Sequence, residues 1–412
     1  MAKIIKIAQA TLFVSGMVGA QYFCQNHFET MQIPGFFIAM AISWWLTPEI
    51  RARALKLGLV DNPEEERRIH KTPIPRLGGV AIYMSIVLTL TLLIAIAGRF
   101  PKNARFGEGG MLGIAAGGTI IFILGLLDDL ESIPAKLKLL VQIMAGCVAY
   151  TLGVRIKSIP IPVHMNFDFG PIHILGGVPI ELGQFSMALS VIWLVGIANA
   201  VNLIDGMDGL AAGVSAISAL TIWSVTLAPS LDRPYAALMS AILAGGLMGF
   251  LRWNFNPARI FMGDSGAYLT GFILAAVSIT GVIKGAAAAT VIVPTFMLVG
   301  LILFFPILDT TFAILRRVLK GKSIFSPDAG HIHHRLLNTG LNQKSVAYLI
   351  YFVSSLCGLI ACYFVGQQEY FLKLACGVLC IVFFFAEVLN RNHQRQDQTS
   401  HNEHNDQSNT ED

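Results

Sequence analysis

The amino-acid sequence predicts an all-α polytopic integral membrane protein, a bundle of about 10–12 transmembrane helices, and three observations carry that prediction. Hydrophobic residues make up 54% of the 412 and charged residues only 13%, against about a quarter charged in soluble domains. The mean hydropathy is +0.64. Apolar runs recur at the length of about 17–25 residues that a helix needs to cross a roughly 30 Å hydrocarbon core.

Twelve such runs succeed one another: 7–24, 34–50, 78–97, 111–127, 137–154, 186–203, 209–228, 235–251, 266–283, 286–308, 345–366 and 371–389. The first comes after Lys3 and Lys6 and ends in Val18-Gly19-Ala20, so it reads as an uncleaved helix with a signal peptide as the alternative. Three regions result: an N-terminal apolar segment (1–33), a membrane domain (34–389) and a polar tail without aromatic residues (390–412), for which disorder is expected. Between the fifth and sixth runs, residues 155–185 alternate apolar residues with Gly and Pro and predict a short β-hairpin.

Lysine and arginine give the orientation. Loops 51–77, 128–136, 204–208, 252–265 and 309–344 carry sixteen of them, and the opposite loops carry seven, so the first set is cytoplasmic. The net charge of +4 is small and scattered, which argues against nucleic acid as a partner. Six cysteines fall mainly in apolar runs without a C-x-x-C pairing, so neither a zinc site nor a disulfide frame is indicated.

The conspicuous polar groups all fall on the face that charge counting makes cytoplasmic. Asp128 and Asp129 end the fourth run; adjacent carboxylates repel, which calls for a nearby cation, and Lys136 and Lys138 are available. The alternative is a helix-end pair facing water. Asn199, Asn202, Asp205 and Asp208 recur every three residues, which places the two asparagines toward the bundle. Gly206 and Gly209 break the helix there, and Asp205 and Asp208 are placed to cap the next helix. Asp264, within Gly263-Asp264-Ser265-Gly266, opens a helix whose N-terminus suits an anion or a metal-bound phosphate; a plain N-cap is the competing reading. Carboxylates and Asn carbonyls are hard oxygen ligands of the kind that hold magnesium together with substrate phosphates and water. His331, His333 and His334, with Arg335, suit phosphate or a nucleotide, whereas a zinc site would want a supporting Cys or Glu. The basic stretch Arg67, Arg68, His70, Lys71 and Arg76 reads mostly as a topology signal, with Lys71 the exception.

These motifs resemble those of the polyprenyl-phosphate N-acetylhexosamine-1-phosphate transferases over about residues 57–387. The resemblance rests on Leu57-Gly58-Leu59-Val60-Asp61, Pro75-Arg76-Leu77-Gly78-Gly79, the Asp128-Asp129 pair, the Asn199-to-Leu210 run, Phe261-Met262-Gly263-Asp264 and His331-Ile332-His333-His334-Arg335. Ile332 interrupts the histidines as in the WecA/TagO branch of that superfamily. The resemblance implies transfer of a sugar-1-phosphate from UDP-GlcNAc to undecaprenyl phosphate, in a catalytic cleft at the cytoplasmic face of a bacterial plasma membrane. It implies magnesium (or manganese) held by Asp264 and Asn202. Asp128 or Asp129 would position or deprotonate the lipid phosphate, with Lys71 and Lys138 near the phosphates. Asp205 and Asp208 would support the metal or the uridine end, and His331, His333, His334 and Arg335 would contact the nucleotide sugar, with Asn199 lining the same site.

Another UDP-N-acetyl sugar, UDP-MurNAc-pentapeptide included, would preserve this chemistry. A homodimer is compatible with the sequence, which carries no feature specifying one. A transporter is the rival class, but it would want a repeat and paired broken helices at midplane. An intramembrane aspartyl protease would want a glycine where Phe261 stands.

Overall fold

The computed structural model of the chain describes residues 2–24, 31–61, 73–97, 110–159, 167–169, 172–174, 179–283, 295–321, 330–367 and 369–373. They form helices α1 (Ala2–Cys24), α2 (Gln32–Lys56), α3 (Gly78–Ala97), α4 (Met111–Leu130), α5 (Ala135–Thr151), α6 (Phe185–Ile204), α7 (Leu210–Thr226), α8 (Pro234–Asn254) and α9 (Gly263–Val277). After them come α10 (Thr295–Ile302), α11 (Phe304–Leu319), α12 (Ile332–Asn338) and α13 (Gln343–Phe364). α9 continues into a wider π-helical turn, Ser278–Ile283. The protein is an all-α, multi-pass membrane protein: seven of the described helices are long and apolar enough to cross a bilayer, or eight if the bent pair α10–α11 counts as one span. The twelfth run, 371–389, and the polar tail lie outside the described residues, apart from 371–373.

One expected run takes a different form. In the described part of the run 286–308, which begins at Thr295, the chain is not one straight helix, because α10 and α11 meet at Leu303 with a 96° bend. Pro306, in the first turn of α11, has no N–H to return to the carbonyl of Ile302, so the α-helical ladder has no bond at that point. α11 then runs to Leu319, well into what the sequence suggested was a loop.

The core is built around α9. Every residue from Ser265 to Ile283 is buried, and nearly all of α7 and most of α8 are buried with it. Between apolar helices in lipid, close packing replaces the hydrophobic effect as the source of association, and small residues permit it. Gly245 and Gly249, one turn apart on α8, show this: a Cβ on them would lie 2.1 Å from the Phe36 carbonyl and 2.3 Å from the Met40 carbonyl of α2. α1 packs on α2 in the same manner, with Gly16 against Ile38.

The expected outer hairpin is present as two nested antiparallel ladders, β3 (Ser158–Ile159) with β6 (Ile180–Glu181) and β4 (Phe167–Phe169) with β5 (Ile172–Ile174). On the opposite face, β1 (Val60–Asp61) pairs with β2 (Ile74–Pro75). The chain leaving β2 adds to the 261–263 segment: Phe261 N–H donates to the Pro75 carbonyl, and Gly78 and Gly79 donate to the carbonyls of Phe261 and Met262. Gly79 rests on Gly266, where a Cβ would stand 2.2 Å from the Gly266 nitrogen. Two motifs far apart in the chain are thereby locked together at the end of the bundle.

Candidate active site

Four helix ends converge here. α4 brings Asp128 and Asp129, α9 brings Asp264, α6 brings Asn202 and then Asp205, and α5 brings Lys138. α4 comes close enough because Gly125 lies against the backbone of α9; a Cβ on it would be 2.5 Å from the Ser265 Cα.

Successive helical residues point about 100° apart, and this separates the two adjacent carboxylates. Asp129 faces the start of α9, where Oδ1 accepts from Asp264 N–H (2.7 Å) and Oδ2 accepts from Ser265 N–H (3.0 Å) and the Ser265 hydroxyl (2.6 Å). It is the N-terminal cap of α9, supplied by another helix, and it meets the positive end of the helix dipole. The anion anticipated at that helix N-terminus is therefore a carboxylate of this same chain.

Asp128 faces the other way. Its Oδ1 accepts from Ile133 N–H (2.8 Å), and Oδ2 pairs with the ammonium of Lys138. Lys138 also lies 3.5 Å from Asp264 Oδ2, and Asn202 Nδ2 donates to Asp264 Oδ1 at 2.9 Å. Asp128, Lys138, Asp264 and Asn202 thus form one connected cluster. Of the two lysines the sequence offered, the structure uses Lys138, while Lys136 is exposed. Beneath the cluster, Asn199 donates to Gln142 Oε1 on α5 (2.7 Å) and to the Val195 carbonyl. Gln142, a lone amide within an otherwise ordinary helix, carries no signal of this role in the sequence.

Asp205 stands at the end of α6, and desolvation, then the nearby carboxylates of Asp264, Asp129 and Asp208, push its carboxyl well above the usual range. A further positive charge would relieve this. The donor set fits magnesium: Asp264 with the Asn202 amide, beside Asp128, are few hard oxygen ligands, the kind completed by phosphate and water. Among the described residues, no group of three His, Cys, Asp or Glu side chains could hold a metal unaided.

Asp208 follows Asp205 in the turn between α6 and α7. It is buried and turned toward the 256–258 loop, where Oδ2 accepts from Asn256 Nδ2 (2.9 Å) and Ala258 N–H (3.0 Å), and Asn256 reaches on to Gln343 at the start of α13. The expected capping of α7 by Asp205 or Asp208 is not made; α7 starts from Gly209 in the left-handed conformation (φ 75°) with no side-chain cap.

The histidines open α12 and split by exposure. His331 and His333 are buried, His334 is half-buried, and Arg335 is exposed. The three rings lie in a row: His331 and His333 are nearly parallel with centroids 5.7 Å apart, and His334 meets His333 at 4.4 Å, tilted by 40°. Asp309 on α11, a residue the sequence reading assigned to a plain loop, accepts from His331 Nδ1 and from Ile332 N–H, each at 2.7 Å. His333 borders the acidic end of α6, since a Cβ on Gly206 would lie 2.8 Å from its Nε2. Burial and then the neighbouring His334 lower the His333 pKa to about 4; burial also lowers that of His334. Lys71, with Arg67, Arg68 and His70, lies outside the described residues.

At one end of the membrane bundle, carboxylates, the ammonium of Lys138 and an amide thus gather beside the histidine segment. The sequence profile of Glycosyl transferase family 4 matches residues 111–282. A probable undecaprenyl-phosphate N-acetylglucosaminyl 1-phosphate transferase of Bacillus subtilis is 35% identical over 331 residues, which cover 80% of this chain and 84% of that protein. A decaprenyl-phosphate N-acetylglucosaminephosphotransferase of Mycobacterium tuberculosis is 39% identical over 76% of this chain and 77% of its own. An undecaprenyl-phosphate alpha-N-acetylglucosaminyl 1-phosphate transferase of Thermotoga maritima is 30% identical over 85% of this chain and 96% of its own. The chain belongs to glycosyl transferase family 4, in its polyprenyl-phosphate N-acetylhexosamine-1-phosphate transferase branch.

Proposed function

We propose that this protein transfers N-acetylglucosamine-1-phosphate from UDP-GlcNAc to undecaprenyl phosphate, releasing UMP, at the cytoplasmic face of a bacterial plasma membrane. The product, undecaprenyl-diphosphate-GlcNAc, would begin a cell-envelope polysaccharide. The observation that carries this reading is the cluster in which Lys138 lies between Asp128 and Asp264, with Asn202 beside them. The names of the relatives support the donor and the acceptor.

The chemistry is one displacement at phosphorus. An oxygen of the lipid phosphate attacks the β-phosphorus of the donor, and a new P–O bond forms. The bond from that phosphorus to the bridging oxygen breaks, and UMP departs with the electron pair. A phosphate oxygen is nucleophilic near neutral pH, so no strong base is required. Asp128 and Lys138 would orient the lipid phosphate, since Asp129 is committed to capping α9. Asp264 and Asn202 would hold magnesium, which when bound neutralises charge on the donor's phosphoryl oxygens. Asp205 would support that site from the end of α6. His334 and Arg335, the accessible members of their segment, would meet the nucleotide, and Asp208 would keep the adjoining loop in place.

The test is an assay on purified protein with radiolabelled UDP-GlcNAc, undecaprenyl phosphate and magnesium. Label should move into butanol-extractable lipid as UMP is released, and EDTA should stop it. Transfer from a different UDP-N-acetyl sugar alone would replace the donor. Folded protein that transfers from no UDP-sugar would overturn the reading.

A further inference from the structure

Asp309 lies in an apolar helix that leaves the bundle at a sharp angle, and its side chain has no solvent exposure. A carboxylate so placed is costly unless it is paired and hydrogen-bonded. It makes two bonds, both to the segment that carries the histidines: Oδ1 accepts from Ile332 N–H and Oδ2 pairs with His331 Nδ1. Among the described residues, His331 is the one ionisable side chain hydrogen-bonded or ion-paired to it.

An ionised carboxylate only accepts, so the proton between Asp309 and His331 belongs to the imidazole. His331 is then fixed as the Nδ1–H form, and its Nε2 is turned away from α11. The ring lies nearly parallel to His333, at an interplanar angle of 12°, and His333 in turn meets His334 at 4.4 Å with a 40° tilt, so the orientation of the first ring bears on the next two by contact. His333 is 1% exposed, and neither of its ring nitrogens has a hydrogen-bond partner among the described residues. Its place against Gly206, between the carboxylate cluster and the accessible His334, is therefore held by stacking and packing.

From this geometry we infer that Asp309 is a positioning residue: it sets the tautomer of His331 and, through the ring stack, the placement of His334 against the donor's nucleotide diphosphate. The inference rests on the proposed reading of the histidine segment as the donor side of the site. Carboxylates that orient a metal-bound histidine typically govern roughly 10- to 100-fold of affinity or activity, and an effect of that order is expected where the histidine positions a substrate instead.

Asp309→Asn isolates the effect. An amide has one accepting and one donating end; Ile332 N–H claims the oxygen, so the NH₂ group faces His331 Nδ1 and drives the proton to Nε2. Shape and the bond to Ile332 are kept. Three readouts on purified full-length protein test the assignment. First, in ¹⁵N-histidine-labelled protein, the imidazole nitrogen shifts should show one Nδ1–H ring in the native chain that changes tautomer in Asp309→Asn and keeps it in Asp309→Glu. Second, kcat/KM for UDP-GlcNAc should fall about 10- to 100-fold in Asp309→Asn, recover partly in Asp309→Glu, and leave the KM for undecaprenyl phosphate unchanged. Third, the double variant Asp309→Asn/His331→Ala should be no worse than His331→Ala alone, because both changes remove one interaction.

Unchanged imidazole shifts and unchanged donor kinetics in Asp309→Asn would overturn the assignment. So would losses that multiply in the double variant, which would mark Asp309 as a mere anchor for α12. A native enzyme inactive with every UDP-sugar would instead overturn the donor reading itself, an outcome the native control separates from the other two.

Discussion

The carboxylate cluster and the histidine stack lie side by side and solve opposite problems. Among the described residues, Lys138 is the ammonium paired with the cluster, through Asp128 and Asp264, while the carboxyls of Asp129 and Asp205 stand nearby, so acidic groups outnumber the cation that meets them. The histidine stack contains one carboxylate, Asp309, already matched to His331, and its middle ring is neutral and dry. A site short of positive charge is prepared to take in a cation and phosphates, and one whose carboxylate is hydrogen-bonded through both oxygens is prepared to hold a shape. The difference predicts that substitutions in the first region act on chemistry, and those in the second on donor placement and on the acid stability of the fold.

The largest effects should come from Asp264→Asn and Asp128→Asn. Each keeps its side-chain volume and removes a charge facing Lys138, and each should lower transfer at least about 100-fold with the melting temperature nearly unchanged. Titrating magnesium against both variants sharpens the contrast: Asp264→Asn should need far more metal for half-maximal activity, while native Asp128 and Lys138 should matter little to that midpoint. A large loss of thermal stability in Asp128→Asn would break the distinction between it and its neighbour.

That neighbour is the second test. Asp129 satisfies two backbone N–H groups and a hydroxyl at the buried start of α9, so Asp129→Ala leaves three donors without their acceptor. The expected cost is about 2–4 kcal/mol of stability, with activity falling as a consequence. Thermal melting in detergent checks it. An Asp129→Ala protein that melts like the native one yet transfers no sugar would move Asp129 from structure to chemistry.

How far the sequence reveals these two regions depends on the physics of each. Every member of the carboxylate cluster is a charged or amide group at the edge of an apolar run, where such groups are expensive, and so each could be picked out one at a time. What could not be read was the division of labour between Asp128 and Asp129, because it depends on α4 meeting α9 through Gly125. The histidine segment was equally visible, but its anchor was not. Asp309 is also acidic and adjoins an apolar run, yet the bend at Leu303 that places it under His331 is a tertiary feature. Gln142 escaped for a related reason, since its meaning lies wholly in Asn199 across the α5–α6 contact.

The third test uses acid. In the folded protein His333 has a pKa of about 4, below the ordinary histidine value of 6.5, because burial disfavours its charged form. Between those values the unfolded chain binds the proton and the folded chain does not. The stability tied to neutral His333 is therefore complete above pH 6.5 and is lost as pH falls toward 4, by at most about 3 kcal/mol. Melting temperature against pH should drop less steeply in His333→Asn than in the native protein over that window. Parallel curves would mean that the middle ring takes up its proton in the folded state at no cost.

The smallest effect is the most selective check on the cluster. Lys136 and Lys138 flank the same carboxylates in sequence, and from the sequence alone either could balance them. Only Lys138 points inward: it pairs with Asp128 and lies 3.5 Å from Asp264, whereas Lys136 is exposed two residues earlier on α5. An exposed lysine near such a site contributes through a screened, long-range field and nothing more, about 0–1 kcal/mol. Lys136→Ala should accordingly change kcat/KM by no more than about two- to threefold at physiological salt, and less as salt is raised. Lys138→Ala should lose about as much transfer as Asp128→Asn, whatever the salt, because the pair it breaks is partly buried. If Lys136→Ala proved as damaging as Lys138→Ala, the lipid phosphate would have to reach α5 on its outer side, and the place assigned to it between Asp128 and Lys138 would be wrong.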